Sequence, residues 1–129
     1  MKIQFNNRDP VYVQVIRHFK NQIAKGFLEP GQVIPSRREL ANQLKINPNT
    51  AQRAYKEMEE EGLIKTEKNQ PSRVTSDEQI LQDLRDELIL QAVSEFVTSV
   101  KSINVPLDDA LELVKQKYQR ETRKEDSDD

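Results

Sequence analysis

Apolar positions near the start of the chain recur with helical spacing. Tyr12, Ile16, Phe19 and Ile23 fall 4, 3 and 4 residues apart, which places them on one face and predicts an amphipathic helix. Asp9-Pro10 in front of them reads as its start, a capping side chain and then a proline whose missing N–H is not needed in the first turn. Gly26 ends the helix, and "FLEPGQVIP" carries the chain through a Pro-Gly turn. A second helix is predicted over roughly Ser36 to Leu44. Ser36 and Glu39 stand in capping-box spacing, and Leu40, Ala41 and Leu44 supply its buried side.

"INPNTAQRAY" then places a proline between two asparagines. Asn47 can cap a third helix with Pro48 in its first position, where a proline costs nothing. Ala51, Ala54 or Tyr55, and Met58 form the buried side. Asn49, Gln52, Arg53 and Lys56 fall opposite, while Glu57, Glu59, Glu60 and Glu61 crowd the far end before Gly62. Only the N-terminal half of this helix therefore offers hydrogen-bonding and cationic groups to an anion. "LIKTEKNQPSRVT" reads as a β-hairpin, with Leu63, Ile64 and Thr66 in one strand and Arg73, Val74 and Thr75 in the other.

From Ser76 the pattern changes. Ile80, Leu84, Leu88, Ala92, Phe96 and Val100 recur every four residues, and Leu81, Ile89, Val93 and Val97 widen the stripe beyond one side. Such a helix needs a partner, and a second copy of the chain is the expected one. Asn104-Val105-Pro106 breaks it, and Leu107, Ala110, Leu111, Val114 and Tyr118 define a shorter helix. The candidate dimerisation residues are Ile80, Leu84, Leu88, Ala92, Val93, Phe96, Val100, Leu111 and Val114. The segment from Gln119 has no apolar residue and is expected to be frayed or disordered. The expected divisions are 8–76, 77–118 and an acidic tail, 119–129.

Composition narrows the chemistry. With no cysteine and a single histidine, His18 at the edge of the first stripe, the 129 residues hold no disulfide, no thiol nucleophile and no multi-imidazole metal site. No Gly-rich phosphate loop is present, and the carboxylates lie in solvated runs, so neither an enzyme nor a cofactor is expected. "MKIQFNNRDP" lacks the apolar core of a signal peptide, and no run approaches a membrane span, so the expected location is the cytoplasm. The net charge of −2 conceals an asymmetry: 13 Lys/Arg against 8 Asp/Glu through Thr75, and 7 against 14 from Ser76 onward. A basic first part implies an anionic partner for it.

Three helices followed by a hairpin is the order of a winged helix-turn-helix, in which the third helix enters the major groove by its N-terminal end. That end has free N–H groups and the positive pole of the helix dipole. Asn and Gln suit adenine and Arg suits guanine, while Arg37 and Arg38 are placed to neutralise phosphates or reach a base edge. The bland alternatives remain beside these: Asn47 and Thr50 as a cap and its neighbour, and the arginine pair as solvated surface.

The block "PVYVQVIRHFKNQIAKGFLEPGQVIPSRRELANQLKINPNTAQRAYKEMEEEGLI" resembles the DNA-binding domain of GntR-family bacterial transcription regulators. The features that carry the resemblance are Tyr12, Leu28, Pro30-Gly31, "PS.RELA" and "NPNT..RAY..ME..GLI". With its short remainder, the chain is similar to the YtrA subfamily, whose second part is a pair of dimerising helices. The resemblance implies a homodimer on a palindromic double-stranded DNA operator, with a recognition helix over about 48–61. It puts DNA contacts on Ser36, Arg38, Asn47, Asn49, Thr50, Gln52 and Arg53. Two places depart from the family pattern. Lys45 stands where glycine is usual, at a cost on the order of 1 kcal/mol if the left-handed conformation is kept, and its ammonium could meet phosphate. The wing has Asn69-Gln70-Pro71-Ser72-Arg73-Val74 in place of Gly-x-Gly-Thr-Phe-Val, leaving Lys68 or Arg73 as its candidate phosphate contacts.

The sequence thus predicts a mainly α fold with a small β-hairpin: a winged helix-turn-helix DNA-binding domain followed by a two-helix dimerisation region. The expected function is sequence-specific transcriptional regulation, as a repressor. The alternative is a winged-helix adaptor that binds protein and reads no operator. A small-molecule effector would have to bind between the C-terminal helices or where they join the first domain.

Overall fold

The computed structural model describes residues 1–127 and divides the chain into two compact units, Met1–Glu87 and Leu88–Asp129. The first unit holds α1 (Val11–Ala24), α2 (Arg37–Leu44), α3 (Pro48–Glu60), β1 (Ile64–Lys65) and β2 (Arg73–Val74). Its core is the apolar set read from the sequence, with Phe19, Leu40, Ala51, Ala54, Tyr55 and Met58 all fully buried. Both Ala54 and Tyr55 point inward, so the choice between them was not needed. Val15, missed by the four-residue stripe of the first helix, is buried as well. Phe19 meets Tyr55 edge to face at 5.9 Å, which joins α1 to α3.

The helix boundaries follow their local chemistry. At α2 the capping box forms in full, with Ser36 Oγ accepting from Glu39 N–H at 3.1 Å and Glu39 Oε1 accepting from Ser36 N–H at 3.4 Å. At α3, Asn47 Oδ1 accepts from Asn49 N–H at 2.8 Å and Pro48 occupies the first turn. The start of α1 differs from expectation: Pro10 is the cap position and the Asp9 side chain caps nothing. Gln14 instead ties the entry, donating to the Asn6 and Asp9 carbonyls at 3.1 and 2.8 Å and accepting from Asn6 N–H at 2.9 Å. The Asp9 carboxylate faces Arg17 at 3.4 Å.

β1 and β2 pair antiparallel, Ile64 with Val74 and Lys65 with Arg73. The segment between α1 and α2 adds a third rung that its turn-rich sequence did not announce. Val33 bridges Arg73, Ile34 N–H donates to the Ser72 carbonyl at 3.0 Å, and Gly31 N–H donates to the Val74 carbonyl at 2.9 Å. These bonds satisfy the backbone of a hairpin too short to stand alone.

α4 (Glu78–Ser102) starts within the first unit, and the division falls at Glu87, later than the expected boundary at residue 76. Leu84 is buried there, and Ile80 lies where a Cβ on Gly62 would come within 2.8 Å of its Cδ1. Lys20 of α1 pairs with both Glu61 at 3.3 Å and Glu87 at 3.2 Å. Ile80 and Leu84, assigned to dimerisation by their spacing, are therefore packed against the first unit's own chain. A four-residue repeat cannot distinguish which body a helix face serves.

In the second unit, Asn104 turns the chain at φ 58°, and the Val105 N–H donates back to the Val100 carbonyl at 3.1 Å. α5 then runs Leu107–Ser127, past the point where the sequence reading ended it. The residues after Tyr118 are strong helix formers without Gly or Pro, and Lys117 pairs with Glu121 at 3.3 Å one turn on. The remainder of the expected disordered tail, Asp128 and Asp129, lies outside the described residues. Leu88 and Val100 are half-buried, Ala92, Val93, Phe96, Leu111 and Val114 are exposed, and Ala110 is buried.

Candidate nucleic-acid interface

The exposed face of α3 is built from its cap outward. Asn47 and Pro48 fix the first turn, and the buried Ala51, Ala54, Tyr55 and Met58 leave Asn49, Gln52, Arg53 and Lys56 on solvent. These four line one shallow surface with Glu57 and Glu60. The side chains of Asn49, Gln52 and Lys56 make no hydrogen bond or ion pair among the described residues. Arg53 does: it pairs with Glu57 at 3.6 Å, and its guanidinium carbon lies 3.8 Å over the centroid of the Tyr12 ring. Thr50 is half-buried, its N–H donating to the Asn47 carbonyl at 2.9 Å in the first turn.

Tyr55 holds α3 against the start of α2. Its hydroxyl donates to the Pro35 carbonyl at 2.5 Å, one residue before the Ser36 cap. Burial pushes its pKa far above the ordinary phenol value, with Arg37 opposing and Glu39 adding smaller effects, so the hydroxyl stays a donor. The start of α2 is thereby held against the second half of α3, where Arg37 also meets Glu59.

The basic groups around this face divide into two kinds. Arg37 points inward, with Nη2 2.8 Å from Glu59 Oε1 and the guanidinium 5.9 Å from the Tyr55 ring. Thr66 donates to the same Glu59 oxygen at 2.8 Å and lies 2.6 Å from Ser72 Oγ. Arg37 thus ties α2 to the base of the wing. Sequence spacing did not single out Glu59, whose only signal was an acid at the far end of α3. Arg73 also makes an internal bond, to the Gly31 carbonyl at 3.1 Å. In contrast, Arg38, Lys45 and Lys68 are exposed and carry no ion pair among the described residues. Lys45 caps α2 in the left-handed conformation, φ 55° and ψ 46°. Asn69 takes φ 60° in the wing turn, supplying the left-handed position that asparagine tolerates next best to glycine.

Three of the four acids at the far end of α3 have a cationic neighbour, Glu57 in Arg53, Glu59 in Arg37 and Glu61 in Lys20, which it shares with Glu87. The repulsion of phosphate expected from that end is correspondingly reduced. No helix among the described residues is long and apolar enough to cross a membrane.

Residues 11–74 match the family described as "Bacterial regulatory proteins, gntR family". The chain is 34% identical over 115 residues to an uncharacterized HTH-type transcriptional regulator, YhcF, of Bacillus subtilis, covering 89% of this chain and 95% of that one. It is 44% identical over 66 residues to the HTH-type transcriptional repressor YtrA of the same organism, covering 51% of each. Among solved structures, a GntR family transcriptional regulator from Listeria monocytogenes superposes with a TM-score of 0.80 at 29% identity, over 87% of this chain and 98% of that one. The chain belongs to the GntR family of DNA-binding bacterial transcriptional regulators.

Proposed function

We propose that this regulator is a sequence-specific repressor that binds a two-fold-related operator as a homodimer, with α3 reading the major groove. The observation that carries the reading is the exposed face of α3, where Asn49, Gln52 and Arg53 stand beside a capped, positively polarised helix start. Asn and Gln suit adenine edges and Arg guanine edges. Ser36, Arg38, Lys45, Asn47 and Thr50 would add further contacts to the DNA, and Lys68 or Arg73 would reach phosphate from the wing. Arg37 serves instead to brace the wing through Glu59. Repression is inferred from the likeness to a protein named as a repressor.

Dimerisation is inferred from the second unit taken alone. Ile89, Leu90, Val93 and Phe96 on α4 and Leu111, Leu113 and Tyr118 on α5 are each at least 42% exposed. Monomeric soluble proteins rarely leave so many large apolar side chains open to water on neighbouring turns. The test is a duplex selected by the full chain from a random library, followed by competition against scrambled DNA. Preference for the selected duplex over scrambled DNA by about a thousandfold or more is expected. Equal affinity for both, or retention of protein partners alone, would sink the reading.

A further inference from the structure

We propose that Tyr12 is a positioning residue for base recognition, acting through Arg53; this rests on the reading of α3 as the recognition helix. The Arg53 guanidinium carbon sits 3.8 Å over the Tyr12 ring centroid, where the negative face of the ring attracts the cation. Stacking engages the flat side of a guanidinium and leaves its in-plane donors at the edge. Glu57 lies 3.6 Å from Nε, one turn along α3, and limits rotation of that plane. The terminal Nη groups make no hydrogen bond among the described residues. Two parallel donors presented edge-on are what guanine O6 and N7 accept.

Arg53 differs in this from its neighbours. Asn49, Gln52 and Lys56 are exposed, and among the described residues no side-chain hydrogen bond or ion pair holds them. A free arginine must be ordered as DNA arrives, at an entropic cost that weakens binding. Tyr12, coming from α1, removes part of that cost at whichever base pair Arg53 meets and at no other. The ring is half-buried at the end of the core stripe, so its outer face is available for this without opening the core.

The test uses the full chain as wild type, Tyr12→Phe, Tyr12→Leu, Arg53→Gln and the Tyr12→Leu/Arg53→Gln double variant. Each is measured by fluorescence anisotropy against the duplex that wild type selects from a random library and against its single-base variants. Tyr12→Leu is expected to lower discrimination by about two- to fivefold at the same base pair whose discrimination Arg53→Gln abolishes. Tyr12→Phe keeps it, affinity for random duplex is unchanged, and the double variant is no worse than Arg53→Gln. Unchanged discrimination in Tyr12→Leu, or a loss spread evenly over all base pairs, overturns the proposal. Tyr12→Met, which keeps the bulk without a ring, provides the same comparison if Tyr12→Leu does not fold.

A second measurement needs no DNA. The Arg53 side-chain protons are expected to be shifted upfield by the ring current in wild type and Tyr12→Phe and to return to ordinary values in Tyr12→Leu. Absence of that shift in wild type overturns the stacking. A wild type that shows the shift yet prefers no duplex overturns the operator reading, and the role of Tyr12 falls with it. Intact operator preference with an indifferent Tyr12→Leu overturns the role of Tyr12 alone.

Discussion

At Lys45 a side chain stands where the backbone is left-handed, φ 55°, and its Cβ crowds the following carbonyl at a cost of about 1–2 kcal/mol. Glycine removes that strain but loses more entropy on folding, so Lys45→Gly is expected to stabilise by about 0.5–1 kcal/mol. A thermal midpoint several degrees higher would show it. If the ammonium also meets phosphate, the same variant loses DNA affinity evenly over all sequences, and the salt slope falls by about one. His18 provides a second residue-scale prediction. Partial burial, then the charges of the chain's amino terminus and Lys25, lowers its pKa from the ordinary imidazole value. As pH falls below about 6.5 the unfolded chain takes up a proton that the folded chain resists. The His18 contribution is therefore intact above that pH and is lost on acidification through the lowered folded value. His18→Gln should flatten this part of a urea-midpoint profile between pH 7.5 and 5, and parallel profiles for the two proteins would refute it.

Elements are joined here by small features at their ends. Gly62 closes α3 at φ 78°, and an added Cβ would come within 2.8 Å of Ile80 Cδ1. Gly62→Ala thus meets backbone strain, and the Ile80 tip must give way to the new methyl, so the variant is expected to destabilise by roughly 1–2 kcal/mol. Chemical denaturation checks this, and a change below 0.5 kcal/mol would contradict it. Most elements were legible beforehand, because helix starts and stops are local: Ser36, Asn47, Pro48, Gly26 and Gly62 act on their own neighbours. What escaped depends on distant partners. The third rung at Val33 exists because β2 leaves an edge for it. Arg37 turns inward because Glu59 and Thr66 are there to receive it, and Tyr12 meets Arg53 only once α1 and α3 have packed. The helical tail through Ser127 was missed for a different reason, since polarity was read as disorder where propensity and ion pairing favour helix.

For the whole molecule, the proposed operator binding depends on the open apolar surface of the second unit. Phe96 is 42% exposed and Val93 50%, so Val93→Glu/Phe96→Glu should leave each chain folded but place like charges in any interface between copies. Sedimentation is expected to shift from dimer to monomer at micromolar concentration, with operator affinity reduced at least tenfold as the second half-site is lost. A double variant that still sediments as a dimer would place the interface elsewhere. Leu84, by contrast, belongs to the first unit, as do Ile80 and the Glu87 that pairs with Lys20. This bears on how relatives could exchange their C-terminal parts. A splice made where the hairpin ends would strip the DNA-binding domain of the side chains that seal its own underside. A chimera joined after Glu87 keeps Ile80, Leu84 and the Lys20–Glu87 pair with the first unit, and is expected to fold where one joined at residue 76 does not.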